Sequence, residues 1–160
     1  MGESSVAVCV SGQKVVIRAR GRMTFVEAHP LRKFCMTMMA QGIKRYILNA
    51  QRCTSMDSTF IGVLAMVSLK GKGSGVRVEI CGADKQVSGQ ILGLGLKRVF
   101  LLHERCEGED GPAAELDERG ERGEVRKTML EAHETLAEAD AENEERFKDV
   151  LTYLRESAQA

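Results

Sequence analysis

The chain has 160 residues, 43% apolar and 29% charged, with only 4% aromatic residues and no Trp. That is about one ordinary domain with some chain to spare, its core built from aliphatic side chains and Met. No run approaches the ~20 unbroken apolar residues of a membrane helix. The opening Met1-Gly2-Glu3-Ser4-Ser5 lacks a basic stretch followed by an apolar one, so no secretory signal and a cytoplasmic location are expected. Cys9, Cys35, Cys53, Cys81 and Cys106 are odd in number and never form C-x-x-C, so reduced thiols are expected rather than disulfides or a zinc site.

The net charge of zero hides a division. Residues 1–103 carry 15 Lys+Arg and 5 Asp+Glu, whereas the remainder carries 8 and 18. Two segments of opposite sign on one chain attract each other.

In chain order, Val6 to Val10 and Lys14 to Arg20 read as strands joined across Ser11-Gly12, the second ended by Gly21. Thr24-Phe25-Val26-Glu27 fits a capping box opening a helix that stops at Gly42, with Leu31, Phe34, Cys35, Met38 and Met39 on one face and Pro30 in its early turns. Tyr46 to Ala50 is a strand, and Val63 to Leu69 lies in a helix closed by Gly71-Lys72-Gly73-Ser74-Gly75. That glycine-rich stretch follows a helix and lacks the G-x-x-x-x-G-K-[ST] spacing, so it is a turn and not a phosphate loop. Val76 to Cys81, residues 84–94 and Arg98 to Leu102 follow as strand, helix and strand. Helices between strands imply right-handed crossovers and a mostly parallel sheet.

Beyond His103 the chain is Glu-rich and broken by glycines and Pro112, which divides the sequence into a domain (1–103), a flexible acidic linker (104–123) and a C-terminal amphipathic helix (124–157). Val125, Met129, Ala132, Leu136, Ala139, Asn143, Phe147, Val150 and Leu154 form one apolar stripe. The two successive four-residue steps around Asn143 are a stutter that argues against a long regular coiled coil. The stripe is expected to dock on the domain, its own or that of a second copy. The latter gives a homodimer through the C-terminal helix.

The informative segment is Asn49 to Leu64, containing Met56-Asp57-Ser58-Thr59-Phe60 between a strand and a helix. On local chemistry, Asp, Ser and Thr at a helix start are ordinary capping residues. The order of elements around that segment resembles the STAS domain of bacterial anti-sigma factor antagonists over about residues 6–102. Gly21, Asn49, the strand at Val76 and the run Gly93-Leu94-Gly95-Leu96 with Val99-Phe100 match further features of that family.

The resemblance implies a mixed, mostly parallel α/β sheet and a non-enzymatic binding domain without catalytic residues, cofactor or metal. It implies Ser58 as phosphoacceptor, with Thr59 as the fallback. It also implies a partner surface of Asp57, Ser58, Thr59 and Phe60 with Met23 and Thr24. The implied partners are an anti-sigma factor that is also a GHKL-type serine kinase, and an opposing PP2C-type phosphatase. Two departures stand out: Phe60 occupies the usual glycine position, and Arg22-Met23-Thr24 replaces an acidic stretch before the first helix. A STAS-type scaffold or oligomerisation module in another signalling complex is the alternative function.

Three histidines far apart in sequence and a lone Cys53 near the loop offer no catalytic constellation. The basic first segment lacks aromatic interleaving or a recognition helix, so neither a nucleic acid nor a membrane is an expected partner.

Overall fold

The computed structural model describes residues 3–108, 111–117 and 119–159. The start Met1-Gly2 and parts of the expected linker (109–110 and 118) lie outside them. A β-hairpin opens the chain, β1 (Ser5–Ser11) and β2 (Lys14–Met23), turning at Gly12-Gln13, one residue beyond the expected Ser11-Gly12 because Ser11 still pairs with Lys14. β2 does not end at Gly21. The strand continues through it as an irregularity in register with φ +80, where an added Cβ would meet Ser4 at 3.1–3.2 Å.

Next come α1 (Phe25–Ala40), β3 (Arg45–Met56), α2 (Ser58–Gly71), β4 (Arg77–Cys81), α3 (Lys85–Gly93) and β5 (Leu101–His103). The Thr24/Glu27 capping box is formed, the Thr24 amide donating to Glu27 Oε1 at 2.8 Å. The six-stranded sheet runs β5-β4-β3-β2-β1-β6, with β2 to β5 mutually parallel. Its sixth strand, β6 (Ala114–Glu115), pairs antiparallel with β1 and belongs to the stretch expected to be linker.

The C-terminal segment is helical, but in three pieces: α4 (Arg122–Ala139), α5 (Ala141–Arg146) and α6 (Lys148–Gln159). The single long helix expected from the stripe is interrupted at Asp140, whose backbone is extended. Asn143, fully buried, donates to the carbonyls of Leu94 and Leu136 at 2.8 Å each, and Arg146 donates to the Gly93 carbonyl at 2.9 Å. The corner is therefore pinned to the end of α3. A straight helix would carry the lower half of the stripe away from the domain. The break folds Phe147, Leu151 and Leu154 back into burial.

Val15, Ile17, Tyr46, Leu48, Val78 and Ile80 point from the sheet into the main core beneath α1 and α2. Every residue of α2 from Thr59 to Ser68 is buried, because the sheet covers one side and α4 the other. A helix apolar all round needs cover all round. Here the tail supplies half of it, on the same chain's domain. α4 approaches so closely that a Cβ on Gly62 would lie 2.7 Å from both the Cβ and the carbonyl oxygen of Ala132.

A disulfide joins Cys81 to Cys106, contrary to the expectation of reduced thiols. Cys81 is paired in register with His103, so the chain leaving β5 passes directly over it. That proximity is tertiary, and no spacing in the sequence signals it.

Candidate functional site

The site forms where β3 runs into α2. Asp57 caps α2, its Oδ1 accepting from the Phe60 amide at 2.8 Å. Its Oδ2 accepts from the Phe25 amide, the first residue of α1, at 3.1 Å, and its own amide donates to the Met23 carbonyl at 2.9 Å. One carboxylate thus ties together the N-termini of two helices, where two positive dipole ends favour an anion. Burial pushes the Asp57 carboxyl above its usual range, opposed by the hydrogen bonds from Phe60 and Phe25 and by nearby His133.

Ser58 is the first residue of α2. Its hydroxyl meets a tail residue: Oγ lies 2.8 Å from His133 Nε2 on α4. His133 Nδ1 is 2.7 Å from the Met129 carbonyl, which can only accept, so Nδ1 carries the proton and the neutral ring takes the Ser58 proton donor at Nε2. Burial holds the His133 pKa below the usual imidazole value, outweighing the Met129 carbonyl and Asp57. The ring is 3% exposed and stacks edge-on against Phe147 with centroids 4.9 Å apart.

Around this contact, His29 Nδ1 lies 2.8 Å from Thr128 Oγ1, and Arg32 pairs with Glu131 at 2.8 Å. The attraction expected between a basic domain and an acidic tail is realised there by Arg32 and Glu131 in a half-buried pair. Such pairs are worth only ~0–1 kcal/mol, so apolar burial carries the docking.

Of the six residues expected at a partner surface, Asp57, Ser58 and Thr24 are partly exposed at this corner. Met23, Thr59 and Phe60 are buried and contribute to packing instead. Phe60 fills the core beneath the loop, which explains how a bulky ring replaces the usual glycine without obstructing the surface. The Thr59 hydroxyl sits in a residue only 3% exposed, which leaves that of Ser58 the more accessible of the two.

No spacing in the sequence ties His133 to Ser58, 75 residues away. The available signal was the unbroken apolar run Phe60 to Val67, which no single sheet can cover. Cys53, near the loop, is pushed up to about 11 by burial and is protonated at neutral pH. Among the described residues no cluster of His, Cys, Asp and Glu could hold a metal ion, and no helix is long and apolar enough to cross a membrane.

The family described as "Mlab, STAS domain" matches residues 6–103. No curated protein matches the sequence. Among solved structures, the anti-sigma factor antagonist SpoIIAA in its unphosphorylated form is 19% identical with a TM-score of 0.56, over 61% of this chain and 86% of that one. TM1081 of Thermotoga maritima, assigned provisionally as an anti-sigma factor antagonist, is 16% identical with a TM-score of 0.56, over 61% of this chain and 84% of that one. At these identities the likeness is one of fold, and α4 to α6 lie outside the family match.

Proposed function

This chain belongs to the STAS domain family, and we propose that it is a protein–protein switch thrown by phosphorylation of Ser58. The observation that carries this reading is the Ser58–His133 hydrogen bond at the start of α2. A phosphoryl group adds about −1.5 to −2 charge and three oxygens. It cannot occupy the space filled by the His133 ring, so the mark and the docked tail exclude each other.

With the tail lifted, the corner of Asp57, Ser58 and Thr24 faces outward beside two helix N-termini. Those termini stabilise either a bound carboxylate or the phosphoserine itself. In the unmodified chain the tail and the partner compete for this corner. When the tail lifts, an anti-sigma factor that doubles as a GHKL-type serine kinase binds it. Phosphorylation of Ser58 then repels that partner, and a PP2C-type phosphatase restores the corner.

Ser58 and His133 also have the geometry of a nucleophile and its base. Two features favour a latch over catalysis: the ring is closed under α4, and both the cavity on the sheet face and the groove between the tail helices lie away from Ser58. The same closure lends weight to one alternative, a STAS scaffold in a complex unrelated to sigma factors, whose tail is a permanent structural cover.

The test uses full-length wild type, Ser58→Ala and Ser58→Asp as baits in native lysate, with ATP added to the captured material. Wild type and Ser58→Ala retain a kinase, Ser58→Asp does not, and mass spectrometry finds one phosphate on wild type at Ser58. Equal capture by all three baits, or a phosphate elsewhere, refutes the proposal.

A further inference from the structure

The sheet face turned away from α1 and α2 holds a cavity of about 450 Å³ that the switch does not use. Its floor is apolar: Val16 and Ile47 are register partners on β2 and β3, with Ala7 on β1 beside them. Its sides are cationic. Among the described residues, Lys14, Arg18, Arg20, Arg45, Arg52 and Arg105 line it together with two carboxylates, Glu79 and Glu107.

The register explains the convergence, since Lys14 pairs with Arg45 and Arg20 with Arg52 across adjacent parallel strands. Like charges side by side repel, and a sheet tolerates such pairing at a cost. Glu79 offsets part of it: only 5% exposed, it binds Arg45 through two contacts of 2.6 and 3.2 Å and pairs with Arg77 and His103 at 3.5 and 3.1 Å. Its pKa is lowered, chiefly by the Arg45 hydrogen bond.

Glu79 is thereby saturated by Arg45, Arg77 and His103. Among the described residues, Arg20, Arg52 and Arg105 have no ion pair, and Arg18 donates to a main-chain carbonyl, that of Gly111, at 2.7 Å. Residues 105–108 form one wall, fixed to the sheet by the Cys81–Cys106 disulfide.

A concave site with an aliphatic floor and several converging guanidinium groups suits one kind of occupant. Planar guanidinium forks pair with phosphate or carboxylate oxygens two at a time, and a pocket of a few hundred Å³ encloses a small organic molecule. We infer that this face binds a small amphiphilic anion: a compact apolar body lying on Ala7, Val16 and Ile47, with a phosphate or carboxylate head held by Arg18 and Arg52. The site is independent of Ser58, on the opposite side of the sheet from the tail.

The test is titration of full-length protein with phenyl phosphate, followed by calorimetry and by amide chemical shifts. Inorganic phosphate supplies the head alone and benzyl alcohol the body alone. Phenyl phosphate is expected to bind at least tenfold more tightly than either, shifting amides of residues 14–20 and 45–52 while those of 57–62 stay still. Arg18→Gln and Arg52→Gln should each weaken it about tenfold, and both variants should melt as wild type does. Binding no tighter than that of inorganic phosphate, shifts confined to other elements, or undiminished affinity in folded arginine variants overturns the inference.

Discussion

Replacing His133 by Ala isolates the latch. The substitution removes the Ser58 hydrogen bond, worth ~1 kcal/mol net for a neutral pair. It also removes the edge-on contact with Phe147, worth ~0.5–1.5 kcal/mol beyond area. Because the ring is 3% exposed, some packing is lost as well, which places the total at about 2–3 kcal/mol. At ~1.4 kcal/mol per tenfold, the open population of the tail rises roughly 30- to 150-fold.

Hydrogen exchange reads this directly. Amides of α4 from Thr128 to Ala139 should exchange faster by about that factor, while those of Ile17 and Leu48 in the central strands keep their protection. A double-mutant cycle with Ser58→Ala separates the hydrogen bond from the cavity and should return a coupling of about 1 kcal/mol. If α4 exchange changes less than threefold, or the strands lose protection as much as α4 does, the latch is not a local device and the reasoning fails.

Asp57→Ala strips an acceptor from the first turns of both α1 and α2. At the upper end of an N-cap loss, ~2 kcal/mol, calorimetry should show Tm falling by roughly 4–8 °C; an unchanged Tm contradicts the shared-cap role. The disulfide closes a sequence separation of 25 residues and should contribute about 3 kcal/mol. Alkylation of the denatured, unreduced protein should label only Cys9, Cys35 and Cys53, and five labels would show the bond absent. The lowered His133 pKa also sets a pH dependence. The unfolded imidazole binds a proton near pH 6.5 and the folded one only below that, so the stabilisation is full above about 6.5 and lost as pH falls through the lower folded value. Tail protection should therefore decline on acidification below pH 6.5 in wild type, and His133→Ala should abolish that decline.

Local chemistry made much of the sheet and its loop legible. The Thr24/Glu27 box and Asp57 at a helix start each depend on residues within four positions, and both are present; the hairpin turn expected at Ser11-Gly12 falls one residue later, at Gly12-Gln13. The tail exposed the limit of periodicity. The stripe from Val125 to Leu154 continues on both sides of Asp140, so spacing alone cannot distinguish one helix from several folded back on each other. What decides the break is the end of α3, where the Gly93 and Leu94 carbonyls receive Arg146 and Asn143 from 53 and 49 residues away. Cys106 over Cys81 and His133 over Ser58 are pairings of the same long-range kind. Phe60 shows the converse: beside the motif its ring fits either a partner surface or the core beneath the loop, and only the packing places it in the core.

The most direct test of the central claim places phosphoserine genetically at position 58 of the full-length chain and follows hydrogen exchange across the molecule. α4, α5 and α6 should lose protection together while β2, β3 and β4 retain theirs, because the modified Ser58 can no longer meet His133. Protection of the three tail helices equal to that of the unmodified protein would contradict it.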